Sequence, residues 1–387
     1  MKVTPFISAI IGSLLLQRII AKAIPESAQT LQSSSNFTNN VVFRPLPDHE
    51  SWGTIYARTV QLPDGSHLLS WEDYSPEPPL LPFPIYRSED GGTTWSNFSQ
   101  VQDQVNGWGN RYQPHFFVLP ETFGQYPAGT VIVGGMSVRK DLAEAWLDIY
   151  ASTDNGKTWT FVSHAVHAPG PETVNNGDKA VWEPFFLVHQ GQLVLHFSDQ
   201  RDERYAQKLA HITTTNLKDW SEPVNDVTYP SYGYRPGMTT VAHIRSTGQW
   251  IMTYELCGSP DPGCPSYYKV ASSPLAFDTV QGRLLKADTG ENPGSAPYVI
   301  WTEHPERDDG SGVIILNGAQ NQAVYVNEDS AEPDGWRRVN TEQHSAHSRS
   351  LEIIVRNGQK KLMLAGGGHM SSGADNFVSV GVIDIPY

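Results

Sequence analysis

Ser88-Glu89-Asp90-Gly91-Gly92-Thr93-Thr94-Trp95 and Ser152-Thr153-Asp154-Asn155-Gly156-Lys157-Thr158-Trp159 both read S-x-D-x-G-x-T-W, 64 residues apart. Each position has a task in a tight turn. The Ser and Asp oxygens can accept from nearby backbone N–H groups, the Gly supplies a positive φ, and the Trp packs back beneath the turn. This is the Asp-box pattern, and its interval suits a repeat of four-stranded units. Weaker copies follow at Thr214-Thr215-Asn216-Leu217-Lys218-Asp219-Trp220, at Val270-Ala271-Ser272-Ser273-Pro274, and at Val326-Asn327-Glu328-Asp329-Ser330 with Trp336 behind. Taking Asp90, Asp154, Asn216, Ser273 and Asp329 as markers, the gaps are 64, 62, 57 and 56.

A sixth unit runs to the C-terminus, where Val378 to Ile385 reads as a strand with no room for another after it. The missing outer strand is expected from the chain start, around Asn40 to Leu46, closing the ring and removing its exposed edges. The expected fold is an all-β six-bladed β-propeller with four-stranded antiparallel blades, a single domain over residues 41–387. Composition agrees, with 33 Gly, 28 Pro, 11% aromatics and many short β-rich runs bounded by turn residues.

Residues 1–23 read as a secretory signal. Lys2 gives a basic start, Phe6 to Leu16 is a short apolar run, and Ala21-Lys22-Ala23 is an A-x-A cleavage pattern. Residues 24–40 read as a flexible lead-in. The sequons at Asn36 and Asn97 point to an extracellular glycoprotein. Cys257 and Cys264 are the only cysteines, and in an oxidising compartment they are expected to pair locally. No metal site and no cofactor are expected, because no further ligands have suitable spacing. A net charge of −14 argues against nucleic acid, acidic polysaccharide and anionic membranes as partners, and leaves neutral saccharides open. A closed propeller needs no partner, so a monomer is the default.

The turn carrying the Asp-box lies on one face of each blade, so the site is sought on the other. That face holds the starts of the first strands and the ends of the second. The first strands align as Arg58-Thr59-Val60, Gln113-Pro114-His115-Phe116, Glu183-Pro184-Phe185-Phe186, Arg235-Pro236-Gly237-Met238, Ala296-Pro297-Tyr298-Val299 and Arg349-Ser350-Leu351-Glu352. The second strands end at Trp71-Glu72-Asp73-Tyr74, Phe197-Ser198-Asp199 and Tyr254-Glu255-Leu256, among others. Glu183 and Glu255 then share one carboxylate-rich rim, as glycoside hydrolysis needs: one carboxyl to assist the leaving group, another to attack or to activate water. Arg58, Gln113, Arg235, Arg349, Trp71, Tyr74 and Asp199 are the candidate substrate contacts. The two catalytic roles stay open. The apolar neighbours Trp182 and Pro184 argue for Glu183 as acid/base and Glu255 as nucleophile.

The Asp-boxes, six-unit length and secretory start resemble the sialidase superfamily of propellers. Within it, Ala180-Val181-Trp182-Glu183-Pro184-Phe185-Phe186 and Trp250-Ile251-Met252-Thr253-Tyr254-Glu255 resemble segments of the fungal exo-1,5-α-L-arabinanases, glycoside hydrolase family 93. The resemblance spans essentially the whole mature chain. It implies a retaining exo-enzyme that cuts linear α-1,5-arabinan, releases arabinobiose and uses two catalytic glutamates, here Glu183 and Glu255. Two other readings compete. A sialidase would use an arginine triad, which Arg58, Arg235 and Arg349 could form, but Arg58-Thr59-Val60 stands where its Arg-Ile-Pro segment belongs. A non-catalytic carbohydrate-binding propeller would not need two carboxylates on one rim.

Overall fold

The computed structural model describes residues 36–370 and 375–387. The expected signal segment and residues 24–35 of the expected lead-in lie outside them. The described residues form six four-stranded antiparallel sheets, five of them built of four successive strands and the sixth of the last three strands with the first. Five blades are contiguous in sequence. The innermost strands are β2 (Thr54–Gln61), β6 (Asn110–Val118), β10 (Val181–His189), β14 (Arg235–Ile244), β18 (Tyr298–Glu303) and β22 (Ser350–Arg356). The sixth blade takes its outer strand from the chain start. There, β1 (Phe37–Phe43) pairs with β24 (Val378–Ile383), with Asn40 opposite Val380. The closing strand thus begins three residues earlier than expected, and Phe37 to Asn40 belong to the sheet, not to a lead-in.

Apolar side chains meet between blades as well as within them. One cluster joins Phe83 and Ile85 of β4 (Phe83–Ser88) to Phe116 and to Val131 and Val133 of β7 (Val131–Val138). Another closes the ring, joining Leu69 and Trp71 of β3 (His67–Asp73) to Val378 and Val380. The blades are so close that a Cβ on Gly134 would lie 2.4 Å from the Phe186 ring, and one on Gly135 the same distance from Phe83. Adjacent glycines on opposite faces of β7 let a neighbouring phenylalanine rest on bare backbone from each side.

The Asp-boxes sit between the third and fourth strands. Asp90 Oδ1 accepts from the N–H groups of Thr93 and Thr94 at 3.0 and 2.9 Å, while Ser88 Oγ accepts from Gly92 N at 2.9 Å. Asp154 and Ser152 repeat this with Lys157, Thr158 and Gly156. In the fifth unit Asn327 takes over the serine's task, its Oδ1 accepting from Ala331 N at 3.0 Å.

Candidate active site

Every blade has one residue with positive φ at the inner end of its first strand: Tyr56, Gln113, Glu183, Met238, Ala296 and Ser348, with φ between 52° and 62°. None is glycine. In four blades the ladder slips at that point, between Ile55 and Arg58, Tyr112 and His115, Trp182 and Phe185, and Gly237 and Thr240. A repeated bulge of this kind re-aims a side chain, and strain at such positions persists only when the surroundings hold it.

Here the surroundings are a relay of hydrogen bonds around the channel mouth. Glu72 Oε1 accepts from Gln113 N at 3.0 Å, and Gln113 Oε1 accepts from Glu183 N at 3.0 Å. Glu183 Oε2 accepts from Met238 N at 2.6 Å, and Glu255 Oε2 accepts from Ala296 N at 2.8 Å. At four of the six positions, Gln113, Glu183, Met238 and Ala296, the N–H is thus satisfied by an acidic or amide side chain of the preceding blade. The bulges and the carboxyls hold one another in place.

These residues line a cavity of about 380 Å³ together with Tyr74, Tyr112, Trp182, Gln207 and Arg235. The two sequence-designated glutamates face each other across Gly237. A Cβ built there would lie 3.5 Å from Glu255 Oε1 and 3.6 Å from Glu183 Oε2. The two oxygens are therefore at most about 7.1 Å apart, the sum of those distances. The same Cβ would lie 2.9 Å from the Gln207 amide, which therefore closes over Gly237 beside the carboxyls.

Burial pushes the Glu255 carboxyl up to about 8, and the nearby charge of Glu183 adds to the rise. Glu183 is also raised by burial, but the Ser198 hydroxyl, Met238 N–H, Arg235 and Arg58 all favour its ionised form. Both carboxyls are thus biased towards the protonated form, and Glu183 has the more groups opposing that bias. The apolar neighbours in sequence do not set Glu183 apart, since both glutamates are half-buried. The attacking and proton-donating roles follow from which carboxyl faces the leaving oxygen of a bound sugar. Glu72, held by the Tyr74 hydroxyl at 2.8 Å, is likewise raised by burial, to about 7.

The other candidate contacts divide. Gln113, Tyr74 and Arg235 line the cavity, and Arg235 donates to Asn176 Oδ1 at 3.0 Å and Gln207 Oε1 at 2.8 Å. Four expectations are corrected. Trp71 is 1% exposed and packs against Phe43 and Tyr86 in an inter-blade core. Asp199 is paired with Arg201 at 2.8 Å. Arg349 is fully buried and spends its guanidinium on backbone carbonyls, including Ala323 O at 2.8 Å and Gln343 O at 3.0 Å. Arg58 donates to Ser348 O at 2.7 Å and lies over the Tyr56 ring at 3.9 Å, so it acts on the carboxyls by charge and not by contact with a ligand. With Arg349 in the core and Arg58 bound to Ser348, no arginine triad lines the cavity.

Strand parity explains two of these corrections. Successive strand residues point to opposite faces, so Trp71 and Glu72 cannot both face the channel, nor can Ser198 and Asp199. The channel side falls to Glu72 and Ser198, whose hydroxyl donates to Glu183 Oε2 at 2.5 Å. Glu172 and Gln207, which also line the cavity, were missed for another reason. Both come from connections, Gln207 from the residue just before a third strand, outside the aligned positions. Cys257 and Cys264 are joined, and Cys257 Sγ lies 3.6 Å from Glu255 Oε1. Asn36 and Asn97 are both exposed.

A six-bladed propeller with two half-buried carboxyls lining one cavity at its channel mouth has the groups that glycoside hydrolysis needs. Comparison with solved structures agrees. An α-L-arabinofuranosidase of family 93 from Fusarium graminearum, solved with arabinobiose, matches with TM-score 0.87 and 38% identity, over 90% of this chain and 98% of that one. An α-L-arabinanase from Penicillium chrysogenum, also solved with arabinobiose, matches with TM-score 0.85 and 38% identity, over 90% and 98%. The NanB sialidase from Streptococcus pneumoniae, at 9% identity and TM-score 0.55, shares the fold alone. No protein-family model matches the sequence, and no curated protein does. The chain belongs to glycoside hydrolase family 93.

Proposed function

We propose that the protein is a secreted, monomeric, retaining exo-arabinanase that cleaves linear α-1,5-L-arabinan and releases arabinobiose. The observation that carries this reading is the placement of Glu183 and Glu255 on either side of Gly237, with oxygens no more than about 7.1 Å apart. A double displacement needs carboxyls about 5–5.5 Å apart, whereas an inverting enzyme needs about 6.5–9.5 Å to seat a water. An oxygen pair no more than about 7.1 Å apart admits the separation that a double displacement needs.

In the first step the ionised carboxylate attacks the anomeric carbon while its protonated partner gives its proton to the departing oxygen. The glycosidic bond breaks and a glycosyl ester forms. In the second step water attacks the same carbon, the now ionised partner takes the water's proton, and the ester carboxylate leaves. Glu183 and Glu255 are the pair, while Tyr74, Gln113 and Arg235 offer hydrogen bonds to sugar hydroxyls. A neutral chain meets no electrostatic opposition from a protein of net charge −14. Secretion rests on the signal pattern of residues 1–23, the two sequons and the Cys257–Cys264 disulfide.

The test is product analysis on linear arabinan, with the anomeric configuration read by proton NMR in the first minutes. A single disaccharide of retained configuration is expected. Inverted product, an early ladder of mixed oligosaccharides, or release of sialic acid from sialyl conjugates would overturn the reading.

A further inference from the structure

The catalytic cavity is not isolated. Two further depressions adjoin it on the same face, running outward over the first two blades. The nearer, of about 220 Å³, shares Tyr74, Tyr112 and Leu142 with the catalytic cavity. The outer, of about 690 Å³, shares Glu77, Arg111 and Lys140 with the nearer one, and is walled by Leu80 and Trp108. The shared residues set the three end to end.

The outer end is built, not incidental. Asp103 accepts from four backbone N–H groups of one loop: Val105 at 2.9 Å, Asn106 at 2.8 Å, Trp108 at 2.7 Å and Gly109 at 3.0 Å. Those bonds hold its carboxyl below the usual range despite partial burial. The loop is also clamped to the facing segment: a Cβ on Gly109 would lie 3.0 Å from Leu81 N, and Asn110 N donates to Leu81 O at 2.7 Å. Trp108 is therefore presented on a fixed backbone, half-buried, near Leu80, which is 46% exposed. Between the two depressions, Arg111 is ion-paired with Glu77 at 2.6 Å, both side chains largely buried. Lys140 stands over the same glutamate at 3.7 Å with 67% of its side chain exposed. A rigid aromatic face with donors spaced along a furrow is the surface a sugar chain fits, by stacking on the ring and by hydrogen bonds to hydroxyls.

We propose that this furrow holds the part of the polysaccharide chain on the leaving-group side of the scissile bond, several sugar units beyond the catalytic glutamates, with Trp108 as its outer stacking platform. The inference rests on the exo-arabinanase reading. It makes the enzyme a reader of chain length. Long chains gain contacts at Leu142, Arg111, Lys140 and Trp108 that short ones do not reach.

The test compares kcat/KM on linear α-1,5-arabino-oligosaccharides of increasing length for the wild type, Trp108→Ala and Lys140→Ala. In the wild type kcat/KM should rise with length to a plateau. Trp108→Ala should lower the ratio of long-chain to short-chain kcat/KM about three- to tenfold, the worth of one aromatic platform. Lys140→Ala, at an exposed side chain that carries little of the fold, should lower the same ratio less. A ratio unchanged in both variants overturns the furrow while leaving the exo-arabinanase reading standing. If the wild type cleaves no arabino-oligosaccharide of any length, the functional reading falls and the furrow's assignment falls with it.

Discussion

The two faces of this propeller are both built from repeated turns with positive φ and buried hydrogen bonds, yet they treat carboxylates in opposite ways. On the Asp-box face, Asp90 and Asp154 are each surrounded by backbone N–H groups and hydroxyls, and their carboxyls are held below the usual range although burial opposes this. On the channel face, Glu72, Glu183 and Glu255 have fewer donors, and burial raises all three. Backbone strain does not separate the faces: the boxes carry positive φ on Gly92 and Gly156, at 88° and 84°, but also on Asn155, Leu217, Ser330 and Ala331, and the channel face carries it on residues with side chains throughout. What differs is the treatment of charge. One face surrounds its carboxylates with donors, and the other leaves them short of donors, the kind of setting that shifts a carboxyl towards its protonated form.

The sharpest break of this comparison is removal of the charge-bearing pair. Glu183→Gln and Glu255→Gln should each lower activity on arabinan by at least about 10²–10⁴-fold, with the melting temperature at pH 7 kept or raised because a buried ionisable group is gone. Retention of more than about a tenth of wild-type activity in either folded variant would remove that residue from the pair. Azide then separates the roles: a glycosyl azide of retained configuration marks loss of the acid/base, and one of inverted configuration marks loss of the nucleophile.

The pH dependence of stability should also differ between the faces. Glu72 and Glu255 ionise at about 7 and about 8 in the fold, against an ordinary value of 4.5. Groups raised in this way contribute stability that is whole below the ordinary value and lost as pH rises through 7 and 8. Asp90 and Asp154 are lowered, so their contribution is present above the ordinary 3.8 and lost only as pH falls through their depressed values. The melting temperature measured by calorimetry should therefore be highest in mildly acid solution and decline towards pH 9. Glu72→Gln should flatten that decline between pH 6 and 8, and an unchanged slope would show that Glu72 does not titrate there. Activity should fall over the upper part of the same range as the pair loses its proton.

A smaller effect is expected from the opposite face. Asp154→Ala removes the acceptor of the Lys157 and Thr158 N–H groups and should cost about 1–3 kcal/mol of stability while kcat on arabinan stays within about twofold. A large loss of kcat in the folded variant would mean that the two faces are coupled. A comparable effect on stability belongs to the disulfide, whose loop spans a sequence separation of 7 and contributes at most roughly 2–3 kcal/mol. Cys257 lines the catalytic cavity beside Glu255, so reduction should weaken activity more than it lowers the melting temperature. Equal losses would place the bridge with the scaffold.

Repetition made the architecture legible. Two full Asp-boxes and three degraded ones mark the same turn in successive blades, and a terminal strand without a successor requires a partner from the other end of the chain. Glu183 and Glu255 could be singled out because equivalent ends of blades converge on one axis, which is a property of the topology and so of the repeat. Local pattern reached no further. Trp71 and Asp199 were misplaced because strand ends alone do not fix which parity faces the channel, and burial in a neighbouring blade settles it. Arg58 and Arg349 were misplaced because a guanidinium near an axis can serve a ligand or a backbone carbonyl with equal chemistry, and only the packed structure shows which is within reach. The relay from Glu72 through Gln113 and Glu183 to Met238 joins residues far apart in sequence through positive-φ bulges. No side-chain pattern encodes those bulges, because the hydrogen-bond partner of each comes from the preceding blade. The residues by themselves thus determined the ring and its two central acids, and the closure of that ring decided which side chains line the cavity and which are spent on the core.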